Sequence, residues 1–256
     1  MPMIHLGGGV STGSHSKNID RSHEKTVSCL LNEHRHPISG YLMFALDCWS
    51  LRHDIDETAP AYTVTVAVPA RFDFIGGWTG TPPYYFTNEG CVLNSTLILS
   101  EPGKHTASGI TSAAITVTVA PAGHLAVTEN GFPLPEPAHH IVLATTMKFL
   151  SLANPRISIS ITNSIPHGSG LGGSSLLTAA ILAAILASYR GVDYLRDHLC
   201  ELVNNVLLIE QMMNSGGGWQ DQIGGIFPGV KCTTASPVKP CAYSIDYLSG
   251  ECATLS

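Results

Sequence analysis

Pro166-His167-Gly168-Ser169-Gly170-Leu171-Gly172-Gly173-Ser174-Ser175 is the stretch on which the reading of this chain turns. Before it, Ile157 to Ile161 alternates apolar residues with serine, the pattern of a half-buried strand. After it, Leu176 to Ala187 is apolar apart from Thr178, which predicts a buried helix from about Ser174 to Tyr189. A Gly-rich loop between a strand and a helix lets the backbone come close to a ligand. The free N–H groups and the positive dipole end of the helix then face the same space, which suits an anion, phosphate above all. Ser174 and Ser175 add hydroxyls that can reach a phosphate oxygen or its metal. No Lys-Ser or Lys-Thr follows the glycines, so this is not a Walker A loop, and no acidic residue follows at the ribose-binding distance of a dinucleotide fold. Taken alone, the loop reads equally well as a tight connection without a ligand.

Moving outward, Tyr62–Val68, Cys91–Leu99 and Ala114–Ala120 read as strands, Gly131–Pro137 as a loop, and His139–Leu152 as a helix. Asp193 is placed to cap a further helix running to about Met213. Strands come first and strand–loop–helix–helix follows, so the fold class is α+β rather than a repeating βαβ.

The 256 residues are 44% hydrophobic and 12% charged, which excludes a disordered charged tail and leaves enough apolar surface for a core. A net charge of -6 and a pI near 6.0, with no basic stripe, argue against a nucleic-acid partner. The run from Leu176 to Ala187 falls short of the ~20 apolar residues that span a bilayer, so no membrane is expected. The N-terminus shows no charged and apolar signal pattern, and the cytoplasm is the expected location. None of the seven cysteines forms a CxxC pair, so they read as reduced thiols. Residues 1–60 read as a polar, His-rich leader, with a Gly/Ser-rich stretch from Gly7 to Ser16 and helical periods over Thr26–Leu31 and Tyr41–Leu51. His34 and His36 there lack Cys or acidic partners at ligand spacing, which argues against a metal site.

Two further segments accompany the loop. One is Pro69-Ala70-Arg71-Phe72-Asp73-Phe74-Ile75-Gly76-Gly77-Trp78-Thr79-Gly80-Thr81-Pro82-Pro83; the other is Glu210-Gln211-Met212-Met213-Asn214-Ser215-Gly216-Gly217-Gly218-Trp219-Gln220-Asp221-Gln222. In this order the three resemble the motifs of the GHMP kinases, the superfamily of galactokinase, homoserine kinase, mevalonate kinase and phosphomevalonate kinase. The Gly-Gly-Gly-Trp-Gln-Asp-Gln string is similar to the L-fucokinase branch. The resemblance covers about residues 62–232 and implies a kinase-like ATP and sugar domain over 61–232, with 233–256 as a tail of a C-terminal domain largely absent. It implies transfer of the ATP γ-phosphoryl group to the anomeric hydroxyl of L-fucose, with Mg2+ as cofactor.

Carried over residue by residue, the resemblance implies that Pro166, Gly168, Ser169, Gly170, Leu171, Gly172, Gly173, Ser174 and Ser175 cradle the nucleotide phosphates. Ser174 and Glu210 would hold the metal, and Asp221 would accept the proton of the sugar hydroxyl. Arg71 would keep Asp221 ionised and offset charge on the moving phosphoryl group. Gly77, Trp78, Thr79, Gly217, Gly218 and Trp219 would meet the sugar. Each has a plainer reading when taken singly: Glu210 a solvated helix face, Asp221 a cap, Arg71–Asp73 a structural ion pair, Trp219 a core residue.

Three departures stand out. Gly80 occupies a position where the sugar kinases usually carry an acid, and Gly173 one where fucokinases commonly carry Thr. The family's third motif has no counterpart between Lys231 and Ser256. A chain folding without that part is expected to expose apolar surface for a partner chain or the missing half to cover. The alternatives are a heptose-phosphate kinase, or a non-catalytic fragment that binds nucleotide or sugar. The scarcity of Lys and Arg near the motifs, Arg71 and Lys231 being nearest, favours a neutral sugar.

Overall fold

Alternating β-branched residues build the first sheet. The computed structural model describes residues 3–6, 55, 59–97, 113–135, 140–237 and 242–248. Strands β1 (Met3–Leu6), β2 (Val64–Val68), β5 (Ile115–Pro121), β8 (Ile157–Asn163), β6 (Ala126–Glu129) and β7 (Phe132–Pro133) lie in that order in one sheet. Pairing is antiparallel except between β6 and β8. One face is apolar: Val64, Val66, Val117, Val119, Ile157, Ile159 and Ile161 are all buried, as a period of two demands.

That face receives α2 (Gly173–Arg190), the central helix. It carries apolar residues on every side because β2 and β5, α1 (Ile141–Phe149), α3 (Val192–Asp197), α4 (Leu199–Met212) and α5 (Gln220–Ile226) all pack on it. It is long and apolar enough to cross a membrane, but it is a core helix enclosed by the fold.

A second sheet, in the order β10 (Ala242–Tyr247), β9 (Val230–Ser236), β4 (Gly90–Leu97), β3 (Ala70–Ile75), is antiparallel throughout. Its inner face meets α5. Its outer face leaves Phe72, Phe74 and Ile75 exposed, with the two phenyl rings edge to face at 5.3 Å.

Four expectations change. The helix from Asp193 to Met213 is broken between α3 and α4. His198 lies at the break, where its ring Nδ1 bonds the Tyr194 carbonyl at 2.7 Å, the acceptor that an unbroken helix would give to the His198 amide. Asp193 does not cap; it stands in the first turn of α3 and pairs with Arg196 at 2.8 Å. The Gly131–Pro137 loop holds the two-residue strand β7. The domain boundaries are also crossed: Met3–Leu6 of the supposed leader pairs with β2, and β9 runs through residue 232 while β10 completes its sheet. The helical periods at Thr26–Leu31 and Tyr41–Leu51, the Gly7–Ser16 stretch, and His34 and His36 lie outside the described residues.

Candidate active site

Strand register sets the floor of the site. Asp73 on β3 stands opposite Asn94 on β4, and Asn94 opposite Lys231 on β9. The three form a polar row on the inner face of the second sheet, with Arg71 two residues before Asp73 on the same side. Arg71 Nη1 pairs with Asp73 Oδ2 at 2.9 Å, and Nη2 pairs with Asp221 Oδ1 in the first turn of α5. The arginine stem is clamped between the loop and α5. A Cβ at Gly172 would lie 3.0 Å from Arg71 Nε, and one at Gly224 would lie 3.1 Å from its stem carbons.

The roof comes from the Gly-rich loop. Gly172, at φ 79, is the N-cap of α2, and no side chain caps that end. The first amides of the helix therefore have no intrahelical acceptor. Pro166 to Gly170 are exposed, and the loop turns through a Ser169 N to Pro166 O bond of 3.2 Å.

A carboxylate chain joins roof to floor. Ser175 Oγ donates to Glu210 Oε2 at 2.7 Å and lies 3.4 Å from Asp221 Oδ2. Gln222 Nε2 donates to the same Glu210 oxygen at 2.8 Å, and the Ser174 side chain also favours the charged form of that carboxylate. Gly217 can pass over that carboxylate because it lacks a side chain; a Cβ there would lie 3.1 Å from Oε2. Glu210, Ser175, Asp221, Arg71 and Asp73 are thus one continuous network. Glu210 is not a solvated helix residue: it is buried. Burial pushes its pKa up to about 7, with the Asp221 charge adding and the hydroxyl and amide donors opposing.

The expected effect of Arg71 on Asp221 needs correcting. Arg71 does favour the charged form, but burial outweighs it, and the carboxyl lies above its ordinary value. Asp73 is also raised by burial, against Arg71, Asn94 and Lys231.

The expected sugar-contacting residues divide. Trp219 is fully buried, stacked at a tilt on Tyr243 with ring centroids 5.7 Å apart, so it is a core residue and offers no face to a solute. The Thr79 hydroxyl shares its one proton between the carbonyls of Gly76 at 2.7 Å and Cys91 at 2.9 Å and accepts from Cys91 N at 2.8 Å. It holds its own turn and has no proton left for a sugar. Trp78, on the same turn, is 86% exposed, with Gly77 beside it. Gly218 packs on the carbonyl of Gly80.

That packing also revises the reading of Gly80. An acid at this position, as the resembled sugar kinases usually carry, would be expected to reach the sugar. A Cβ at Gly80 would instead lie 2.7 Å from Gln220 Oε1 and 3.2 Å from the Trp219 ring. Gly80→Asp should therefore lower stability by about 1–3 kcal/mol through overpacking and bring no tighter sugar binding. Thermal unfolding and sugar calorimetry on the one variant check both halves.

Sequence reasoning gave no site role to Asn94, Gln222 or Lys231, while the Arg71–Asp73 ion pair that it raised as the plainer reading is present. Lys231 had a signal: it alternates in register with the inward Thr233 and Ala235 of β9. Its ammonium is fully buried and donates to Gly224 O at 3.1 Å and Gly229 O at 3.3 Å, tying the end of α5 to the sheet. Burial pushes its pKa down to about 8. The unfolded chain, with lysine near its ordinary 10.5, then binds more protons than the folded chain between those values. Wild-type stability relative to Lys231→Met should rise with pH across about 8 to 10.5, on the order of 1–3 kcal/mol. Paired urea titrations at both ends of the window measure it, since thiol and tyrosine ionisation is common to both proteins.

Residues 140–229 match the family model described as GHMP kinases N terminal domain. The bifunctional fucokinase/GDP-fucose pyrophosphorylase of Arabidopsis thaliana is 33% identical over 186 residues, 68% of this chain and 17% of that protein. The L-fucokinase/L-fucose-1-P guanylyltransferase of Bacteroides fragilis is 30% identical over 187 residues, 64% of this chain and 19% of that protein. The chain thus spans less than a fifth of the length of either curated relative. Among solved structures, a D-glycero-D-manno-heptose 1-phosphate kinase from Bacteriodes thetaiotaomicron aligns with 66% of this chain and 55% of its own, at 20% identity and a TM-score of 0.49. The family-model match, covering the Gly-rich loop, α2 and the Asp221 helix, shows that this chain carries the N-terminal domain of the GHMP kinase family.

Proposed function

We propose that this chain binds ATP and a neutral sugar and serves phosphoryl transfer from the nucleotide to a sugar hydroxyl, with L-fucose at its anomeric oxygen as the acceptor. The observation that carries the reading is the convergence of the uncapped α2 N-terminus with the Glu210–Ser175–Asp221–Arg71 network. Phosphoryl transfer needs anionic oxygens held, charge offset and the attacking hydroxyl oriented, and little else from the protein.

The loop amides from Gly168 to Ser175 are the phosphate cradle, since the helix end presents donors and a positive dipole there. Glu210 and the hydroxyls of Ser174 and Ser175 form a hard-oxygen donor set that fits Mg2+, an ion that binds through one or two carboxylates and substrate phosphates. When bound, Mg2+ supplies charge neutralisation across the phosphate oxygens. Asp221 accepts the proton of the sugar hydroxyl, and Arg71, fixed from behind by Asp73, holds that carboxylate in place.

Arg71 and Lys231, the cations nearest the motifs, are both engaged: the first by two carboxylates, the second by two carbonyls. That favours a neutral sugar over a heptose phosphate, whose extra phosphate calls for a cation of its own. The curated relatives bear fucokinase names, in keeping with the choice of L-fucose. The test is ADP release from ATP and Mg2+ with L-fucose, with a heptose phosphate, and with no sugar. Release stimulated by L-fucose supports the reading. Stimulation by the heptose phosphate alone overturns the choice of sugar. ATP binding with no sugar-stimulated release makes the chain a binding module instead.

A further inference from the structure

The outer face of the second sheet carries a feature that the kinase reading leaves unused. Cys91 on β4 stands opposite Thr234, and Cys232 on β9 stands opposite Leu93, so the two cysteines are diagonal neighbours on one face. Their sulfurs are 3.5 Å apart. Both thiols are free, Cys91 exposed and Cys232 partly so. Neither belongs to the polar row of Asp73, Asn94 and Lys231, which faces the other way.

We propose that Cys91 and Cys232 are a redox modification site, closed by a hydroperoxide into a cross-strand disulfide that fixes the platform of the Gly76–Gly80 turn. The first thiolate is Cys91, the more exposed of the two. It attacks the peroxide O–O bond, giving a sulfenic acid and releasing hydroxide, or an alkoxide from an organic peroxide. The Cys232 sulfur, already in contact, displaces the second hydroxide and forms the S–S bond. The two thiol protons neutralise the two anions. With hydrogen peroxide, two thiols and one peroxide become one disulfide and two waters. Burial, Cys91 and Asp246 push the Cys232 thiol up to about 11, so it is not the first of the two to react. The diagonal register offsets the two residues along the strands, so the bond needs a small shift of β4 along β9 and stays reducible.

The consequence runs through Cys91 itself. Its N–H and C=O hold the Thr79 hydroxyl at 2.8 and 2.9 Å, and its carbonyl lies against Gly76. Tying Cys91 to β9 therefore restrains the strand end on which the turn bearing Trp78 rests. This inference does not depend on the proposed kinase activity.

The whole chain is treated with hydrogen peroxide, and its intact mass and non-reduced peptide map are recorded. The expected result is loss of two hydrogen atoms and one linked peptide pair holding Cys91 and Cys232, both reversed by dithiothreitol. Cys91→Ser and Cys232→Ser should each abolish that pair, with circular dichroism confirming that the variants fold. Hydrogen exchange on the wild-type chain, oxidised against reduced, needs no variant; the amides of Thr79 and Cys91 should exchange more slowly when oxidised. Linkage of either cysteine to a different partner, or oxygen added to Cys91 while Cys232 can still be alkylated, overturns the site. Unchanged exchange at the turn overturns the restraint.

Discussion

Asp221→Asn should lower sugar-dependent turnover by about 10²–10⁴-fold while leaving ATP affinity nearly intact. The substitution keeps the shape of the side chain in the first turn of α5 but removes the charge that faces Arg71 Nη2 and the oxygen that would take the sugar proton. Ser175, 3.4 Å from Asp221, still has Glu210 as its closer acceptor at 2.7 Å, so the loop and the helix end stay where they are. Steady-state ADP release and nucleotide calorimetry on the same preparation separate the two effects. Full turnover in the variant would remove Asp221 from the chemistry. Loss of ATP binding would move it to the metal or to the fold.

The second large effect is on stability. Gly218→Ala should cost about 3 kcal/mol, roughly 6–12 °C in Tm. An added Cβ would fall on the carbonyl of Gly80, and that carbonyl also accepts the Trp219 amide at 3.2 Å. Backbone cannot yield as the end of a flexible side chain can. The turn after β3 and the start of α5 would have to part, and Trp219 would lose its place against Gly90 and Tyr243. Differential scanning calorimetry of the two proteins decides it. A Tm shift within a degree or so of zero would show that this contact yields at little cost.

The same contact shows why some assignments could not be read from sequence. The string Gly216-Gly217-Gly218-Trp219 reads as a flexible approach to a ligand with an aromatic platform. In the fold, Gly217 makes room for Glu210 and Gly218 for Gly80, and the tryptophan fills the core. A glycine marks a close approach, but its sequence neighbours do not say what approaches. The same holds for Thr79, whose hydroxyl is taken up by Gly76 and Cys91, twelve positions away in the second case.

Local pattern alone determined the strands β2, β4, β5 and β8, the buried helix α2 and the loop that opens it, because side-chain periodicity and glycine placement act over a few residues. The resemblance of the three motifs to the GHMP kinases then pointed to Arg71, Glu210 and Asp221. The tertiary structure decided how these groups act on one another. Arg71 and Asp221 are 150 positions apart, and Ser175 and Glu210 are 35 apart. It put Asn94 and Lys231 behind Asp73 through strand register, broke the α3–α4 helix at His198, and buried Glu210 so that its carboxyl rises to about 7. Register, burial and the charges surrounding a group arise from distant segments packing together, so no window of sequence contains them.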